Sequence, residues 1–252
     1  DGIFLHFSYP DTMFKIIKYS NLRNSNRYKY SDLGYYFFQK IIENTYSNKL
    51  NVLVDNYFYK KLGMENLSYI PLQNLNIDRI VPTEQDYIFR SQLVKGYVHD
   101  MGAAMLGGVG GHAGIFSNAN DLAKLMQMYL NGGIYGGERY INSSTIDLFT
   151  KAHFLDNNNR RGLGFDKPEM DDSMSTCGCV PKSSFGHSGF TGSYTWADPK
   201  NKIVYVFLSN RTYPTMENNL LSENNINVLM LDIQSPSKSY LSENINCIYK
   251  KV

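Results

Sequence analysis

His187-Ser188-Gly189 sets an imidazole, a hydroxyl and a glycine side by side where loop-like sequence gives way to strand-like sequence. On the edge of a sheet these residues could face a cleft. The glycine would let a ligand come close to the backbone, and the N–H of the following Phe190 could point at a developing oxyanion. Taken alone, the tripeptide reads more simply as the start of a strand with a surface histidine. Tyr30-Ser31-Asp32 supplies a phenol and a carboxylate. A phenol takes part in proton transfer near neutral pH only where cationic neighbours pull its pKa down from about 10. An aromatic beside a helix N-cap is more often a packing residue.

The run Gly107-Gly108-Val109-Gly110-Gly111-His112-Ala113-Gly114 invites comparison with a phosphate loop, but no Gly-Lys-Ser/Thr follows and no strong strand precedes it. His112 could be a ligand, although a lone histidine among glycines more often caps a turn. Cys177 and Cys179 stand too close for an ordinary structural bridge, and no further ligands at zinc-like spacing lie nearby. With Cys247 they read as free or incidental thiols, so no metal site is expected.

The elements that must position these residues are legible in the hydrophobic pattern. Residues 10–20 suit a short helix. Leu33, Phe37, Ile41 and Ile42 recur at helical spacing behind Ser31 or Asp32 as N-cap. A second helix is expected over about 50–61, ended by Gly63, and residues 64–100 read as irregular. Leu122, Leu125, Met126, Tyr129 and Leu130 mark a helix capped by Asn118 or Asn120 and stopped by Gly132-Gly133. Another starts near 142–150, and 155–184 is loop-like. Residues 193–197 and 203–208 are rich in β-branched and aromatic residues around the turn Asp198-Pro199-Lys200-Asn201, which predicts an antiparallel hairpin. A last helix is expected around 217–233. Helices followed by a hairpin and a closing helix favour an α+β fold over a parallel βαβ one.

Composition sets the outer bounds. The chain has 252 residues, 42% of them hydrophobic and 19% charged, as in ordinary globular proteins. Its formal net charge is +2 and no basic stripe runs along it, which argues against a nucleic-acid partner. No stretch approaches the ~20 apolar residues of a membrane span. The sequence opens on Asp1-Gly2-Ile3-Phe4 and reads as a piece of something longer.

Taken together, these segments resemble the serine β-lactamase and penicillin-binding-protein family. That family uses Ser-x-x-Lys, then Ser-x-Asn or Tyr-x-Asn, then Lys-Thr-Gly or a His-Thr-Gly-like variant. Tyr30-Ser31-Asp32 is similar to the second element. His187-Ser188-Gly189 is similar to the third, within Gly186–Gly192. The passage from Gly107 to Ala123 and Val206–Arg211 also resemble the class C β-lactamase-related modules found behind family 3 glycoside hydrolases. The departures are Asp32 for Asn, Ser188 for Thr, and His187 for Lys, the last removing a permanent cation that would bind a β-lactam carboxylate. This leans towards an esterase or peptidase rather than an efficient β-lactamase. Ser235-Pro236-Ser237-Lys238 has the spacing of the first element but lies after the third and holds a proline ill suited to a helix. Thr12-Met13-Phe14-Lys15 lies too close before Tyr30.

The resemblance implies one β-lactamase-related domain over 1–252, incomplete at its N-terminus. Its helical and loop part would lie at about 20–185 and its sheet hairpin and last helix at 186–235. It implies an antiparallel sheet flanked by helices, a helical subdomain, and a nucleophilic Ser with its Lys upstream of Asp1. Tyr30 would then carry protons, Asp32 would bind substrate or the lysine, and His187 would tune Tyr30. Ser188 and Gly189 would line the cleft, and the Phe190 N–H would form half of an oxyanion hole. Substrates would be esters, amides or peptidoglycan-like molecules, in the periplasm or outside a bacterial cell. An upstream glycoside hydrolase domain would be a possible companion. The alternative is an inactive β-lactamase-like binding module or accessory domain of a glycosidase.

Overall fold

The computed structural model describes residues 5–25, 28–157, 159–168 and 180–220. The chain divides into two compact units, Asp1–Asn118 with Asn210–Asn218, and Ala119–Ser209 with Asn219–Val252.

In the first unit, α1 (Tyr9–Lys18) and α2 (Leu33–Tyr46) form where the apolar spacing predicts them. Phe14 of α1 meets Tyr36 and Phe37 of α2 edge-on, with ring centroids 6.5 and 6.1 Å apart. The buried face of α2 is not the expected one. Leu33, Ile41 and Ile42 are exposed, whereas Tyr36 and Gln39 are buried. Next, α3 (Leu50–Val54) runs on into a wider π-helical turn, Asp55–Tyr59. Gly63 (φ 65°) stops it as expected, with the Met64 N–H donating to the Tyr59 carbonyl.

Residues 64–100 are more ordered than the sequence suggests. They hold β1 (Ser68–Tyr69), two 3-10 turns, and an antiparallel hairpin of β2 (Pro82–Asp86) and β3 (Gln92–Lys95). After them come α4 (Met101–Met105) and β4 (Ile115–Phe116), the latter paired antiparallel with β1. Polar contacts, not an apolar alternation, hold the β2–β3 hairpin. The Asp86 carboxylate accepts the backbone N–H groups of Ile88, Phe89 and Arg90 at 2.9, 2.8 and 3.0 Å. Arg90 then donates to Asp86, to Glu84, and to the carbonyls of Val98 and His99. The Arg90, Glu84 and Asp86 side chains are 9%, 6% and 2% exposed, so one guanidinium bridges two carboxylates almost out of water, and His99 Nδ1 lies 2.9 Å from Glu84 Oε1. Residues 210–218 run along this hairpin: Thr212 Oγ1 donates to the Thr83 carbonyl, and the Gln85 N–H to that of Pro214, both at 2.9 Å.

In the second unit, α5 (Ala119–Leu130) ends where Gly132 and Gly133 turn the chain at positive φ. A small hairpin of β5 (Ile134–Tyr135) and β6 (Glu138–Arg139) follows, then α6 (Ser143–Thr150). The sheet is wholly antiparallel, with β8 (Tyr194–Asp198) between β7 (Phe185–Ser188) and β9 (Ile203–Phe207). The β8–β9 hairpin is the one that the pattern predicts. Asp198 caps its turn by accepting the N–H groups of Lys200 and Asn201. Helix α5 packs on β8 and β9 around Met126, Phe185 and Ala197, with Tyr129, Leu130, Phe165 and Val204 against them.

The mixture of helices and antiparallel sheet is the expected α+β class. The helix expected at 217–233 lies largely, and Cys177, Cys179, Cys247 and Ser235–Lys238 wholly, outside the described residues. Among the described residues no helix is long and apolar enough to cross a membrane.

Asp86 gives the first testable consequence. Burial alone would raise its pKa, but the Arg90 guanidinium and three backbone N–H groups outweigh burial and hold the carboxyl down at about 2. A depressed carboxylate contributes stability that is present above its unfolded value, near 4, and lost as pH falls towards its folded value. Asp86→Asn should therefore destabilise the protein by about 3 kcal/mol at neutral pH in urea titrations. The deficit should shrink on acidification between roughly pH 4 and 2. An unchanged midpoint at neutral pH would mean that Glu84 alone satisfies Arg90.

Candidate active site

Tyr30 and Asp32 lie in the first unit, and His187, Ser188, Gly189 and Phe190 in the second. Tyr30 stands in the segment that leads into α2 and is 52% exposed, so its side chain is not packed in a core. Asp32 occupies the N-cap position of α2 but makes no side-chain cap. Instead, the Ser31 hydroxyl accepts the Leu33 N–H at 3.3 Å, and the Asp32 carbonyl accepts that of Tyr35 at 2.9 Å. The Asp32 carboxylate is thus not consumed by the helix end.

The third element sits at the end of β7. Gly186 is buried between β8 and the segment before the sheet. A Cβ there would stand 2.1 Å from the Thr195 carbonyl oxygen, so no other residue fits. Along the strand the side chains emerge progressively: His187 is half-buried, and Ser188, Gly189 and Phe190 are exposed. A tight turn follows, in which the Gly189 N–H donates to the Ser193 carbonyl at 2.7 Å and the Gly192 N–H to that of Gly189 at 3.0 Å.

Both ring nitrogens of His187 are engaged. Nδ1 lies 2.6 Å from the Ser188 carbonyl, and Nε2 faces Nη2 of Arg161. A guanidinium can only donate, so Nε2 accepts and Nδ1 carries the hydrogen that goes to Ser188. Arg161 comes from the segment before the sheet, which is bound to β7 through a bridge between Asp166 and Gly186: each N–H donates to the other's carbonyl, at 2.7 and 3.1 Å. The Asp166 carboxylate is shared by Arg160 at 3.0 Å and Arg161 at 3.6 Å. Sequence reading missed Arg161. It lies 26 residues before its partner, and its only signal is the pair Arg160-Arg161 before Gly162-Leu163-Gly164 in a stretch read as loop. The permanent cation that His187 lacks in place of a lysine stands one side chain away.

Lys167, next to Asp166, is 8% exposed and donates to the Ser183 carbonyl at 3.1 Å; burial pulls its pKa down to about 8. Among the described residues no cluster of three or more His, Cys, Asp or Glu is placed to hold a metal ion. His112 is paired with Asp100 at 2.8 Å and stacked on Tyr36.

Comparison with known proteins places the chain in a family. The Beta-lactamase family model matches residues 9–229. The chain is 33% identical over 228 residues to a protein of Salmonella gallinarum named "Putative D-alanyl-D-alanine carboxypeptidase", covering 84% of this chain and 52% of that one. It is also 33% identical over 201 residues to an Escherichia coli K12 protein of the same name, covering 75% of this chain and 46% of the other. The chain thus spans about half the length of the curated relatives it matches. Among solved structures, a penicillin binding protein from Bacillus halodurans aligns over 88% of this chain and 64% of its own, at TM-score 0.56 and 11% identity. A β-lactamase from Mycobacterium bovis aligns over 80% of this chain and 66% of its own, at TM-score 0.53 and 18% identity. With the sequence match over most of its length and this α+β fold, the chain belongs to the Beta-lactamase family of serine hydrolases.

Proposed function

We propose that this chain supplies the proton-transfer and carboxylate-binding parts of a serine acyl hydrolase acting on peptides that end in a free carboxylate, as a D-alanyl-D-alanine terminus does. The observation that carries the reading is the Arg161 guanidinium held against His187 at the exposed end of β7. A bidentate guanidinium matches a carboxylate better than an ammonium does, and the names of the curated relatives point to the same chemistry.

In this mechanism a serine and a lysine from sequence outside residues 1–252 form the nucleophile. The serine oxygen attacks the scissile carbonyl and its proton passes by way of the lysine and Tyr30 to the leaving amine. The Phe190 N–H and the nucleophile's own N–H hold the oxyanion. In deacylation water attacks the acyl-enzyme carbonyl while its proton passes by way of Tyr30 and the lysine to the serine oxygen; the acyl–serine bond breaks and the free acid leaves. Asp32 orients the lysine or the substrate amide. Arg161 and Ser188 hold the terminal carboxylate throughout, so they act on binding more than on the chemical step.

Two measurements on the full-length protein test this. Arg161→Ala should raise KM for a D-alanyl-D-alanine peptide about 10- to 100-fold, the worth of a charged hydrogen bond. It should leave turnover of an ester without a carboxylate nearly unchanged. Equal losses on both substrates would assign Arg161 to the fold instead. Tyr30→Phe should lower kcat by about 10²- to 10⁴-fold with little effect on KM; a kcat within a factor of two of wild type would remove Tyr30 from the proton path. Mass spectrometry after fluorophosphonate labelling locates the nucleophile. An adduct on any Ser or Thr within residues 1–252 would contradict its placement outside them. A full-length protein that takes no label at all would favour an inactive binding module.

A further inference from the structure

The glycine run encloses protein groups. Gln39, buried on α2, donates from Nε2 to the Val109 carbonyl and accepts the Gly111 N–H at Oε1, both at 3.0 Å. One amide thus satisfies a donor and an acceptor of the loop, as a neighbouring strand would. The approach is close enough that a Cβ on Gly111 would stand 2.3 Å from the Tyr35 carbonyl oxygen of α2. A Cβ on Gly114, at φ 126°, would stand 2.4 Å from the Gly108 carbonyl oxygen. Tyr69 closes the far side by donating its hydroxyl to the Gly110 carbonyl at 3.0 Å.

His112 is the loop's single large polar side chain, and only 2% of it is exposed. Its ring stacks on Tyr36 of α2, with centroids 4.1 Å apart and planes at 18°. Its Nε2 lies 2.8 Å from Asp100 Oδ1, the same oxygen that caps α4 by accepting the Ala103 N–H at 2.7 Å. Tyr36 fits only because residue 102 is glycine: a Cβ there would fall 1.9 Å from the phenol oxygen. The bond to His112 is the main cause that lowers the Asp100 pKa. Burial, then the charges of Asp100 and Asp32, push the Tyr36 phenol up to about 12, so Tyr36 remains a neutral packing partner.

Tyr36 lies one helical turn after Asp32, and Gln39 the next turn along. The loop therefore grips the first half of the helix whose leading segment carries Tyr30. We infer that His112, braced by Asp100, is a positioning residue: it fixes the first turn of α2, and through it the Tyr30–Asp32 segment, so that the Tyr30 hydroxyl is aimed in the reaction. This rests on the proton-transfer role given to Tyr30. His112 itself touches no substrate in this account.

The experiment is steady-state hydrolysis of a D-alanyl-D-alanine peptide by the full-length protein and by His112→Ala, His112→Gln and Asp100→Asn. Each variant is checked for folding by near-UV circular dichroism and thermal melting. The glutamine amide nitrogen reaches about as far as the imidazole Nε2 and can still donate to Asp100. His112→Ala should lower kcat about 100-fold, the cost of misplacing a reacting group by about 1 Å, with KM within twofold of wild type. His112→Gln should recover at least tenfold of that loss, and Asp100→Asn should fall between the two. The inference is overturned if the folded variants keep wild-type kcat, if KM rises while kcat holds, or if His112→Gln is no better than His112→Ala. It is also overturned if all three variants are unfolded at the assay temperature, since the pair then serves stability alone. A wild-type protein without turnover overturns the functional reading as well, whereas an active wild type with unaffected variants overturns only this inference.

Discussion

The guanidinium of Arg161 is held between the carboxylate of Asp166 and the imidazole of His187, and the chemistry available to the second unit depends on that arrangement. A cation this close to a sheet keeps its charge only if partners replace the water it loses. Here the backbone bridge between Asp166 and Gly186 brings those partners together, and it forms only because Gly186 leaves β8 room to approach. The apolar packing of α5 on β8 and β9 holds the sheet from its other elements. Strand geometry then carries His187 to the point where side chains leave the interior.

The first unit meets a similar constraint with different means. Its β2–β3 hairpin is built around the buried charges of Glu84, Asp86 and Arg90, and its α2 face around a tyrosine, a glutamine and a histidine. Each of these groups would be costly if left unpaired. Pairing removes that penalty and sets geometry, because a hydrogen-bonded amide or guanidinium tolerates less sliding than a contact between alkyl groups. A glycine loop without side chains of its own suits such a frame. Its backbone comes close enough to be read directly by Gln39.

What was legible in the sequence follows from this division. The β8–β9 hairpin and α5 were readable because apolar periodicity and turn residues express them, and both are buried on one face. The hairpin at 82–95 was not, because Pro82-Thr83-Glu84-Gln85-Asp86 carries no alternating apolar signal and is stabilised by an arginine that looks like any surface charge. The buried face of α2 is hidden for the same reason: Leu33 and Ile41 match the expected spacing, yet Tyr36 and Gln39 are the buried residues. The tripeptide at 187–189 was visible as a motif, but its cation was not, since a partner 26 residues away in a loop leaves no local pattern.

Under the proposed function, Tyr30 and the end of β7 serve one acyl-transfer reaction. The most direct measurement is a crystal structure of the full-length protein carrying a covalent boronic acid that ends in a carboxylate. The account predicts the boronate on an upstream serine, with the Tyr30 hydroxyl and the Phe190 N–H each roughly 3 Å from an adduct oxygen and the carboxylate on Arg161 and Ser188. An adduct with Tyr30 turned away from it, or with its carboxylate on other residues and Arg161 still closed onto His187, would contradict the account.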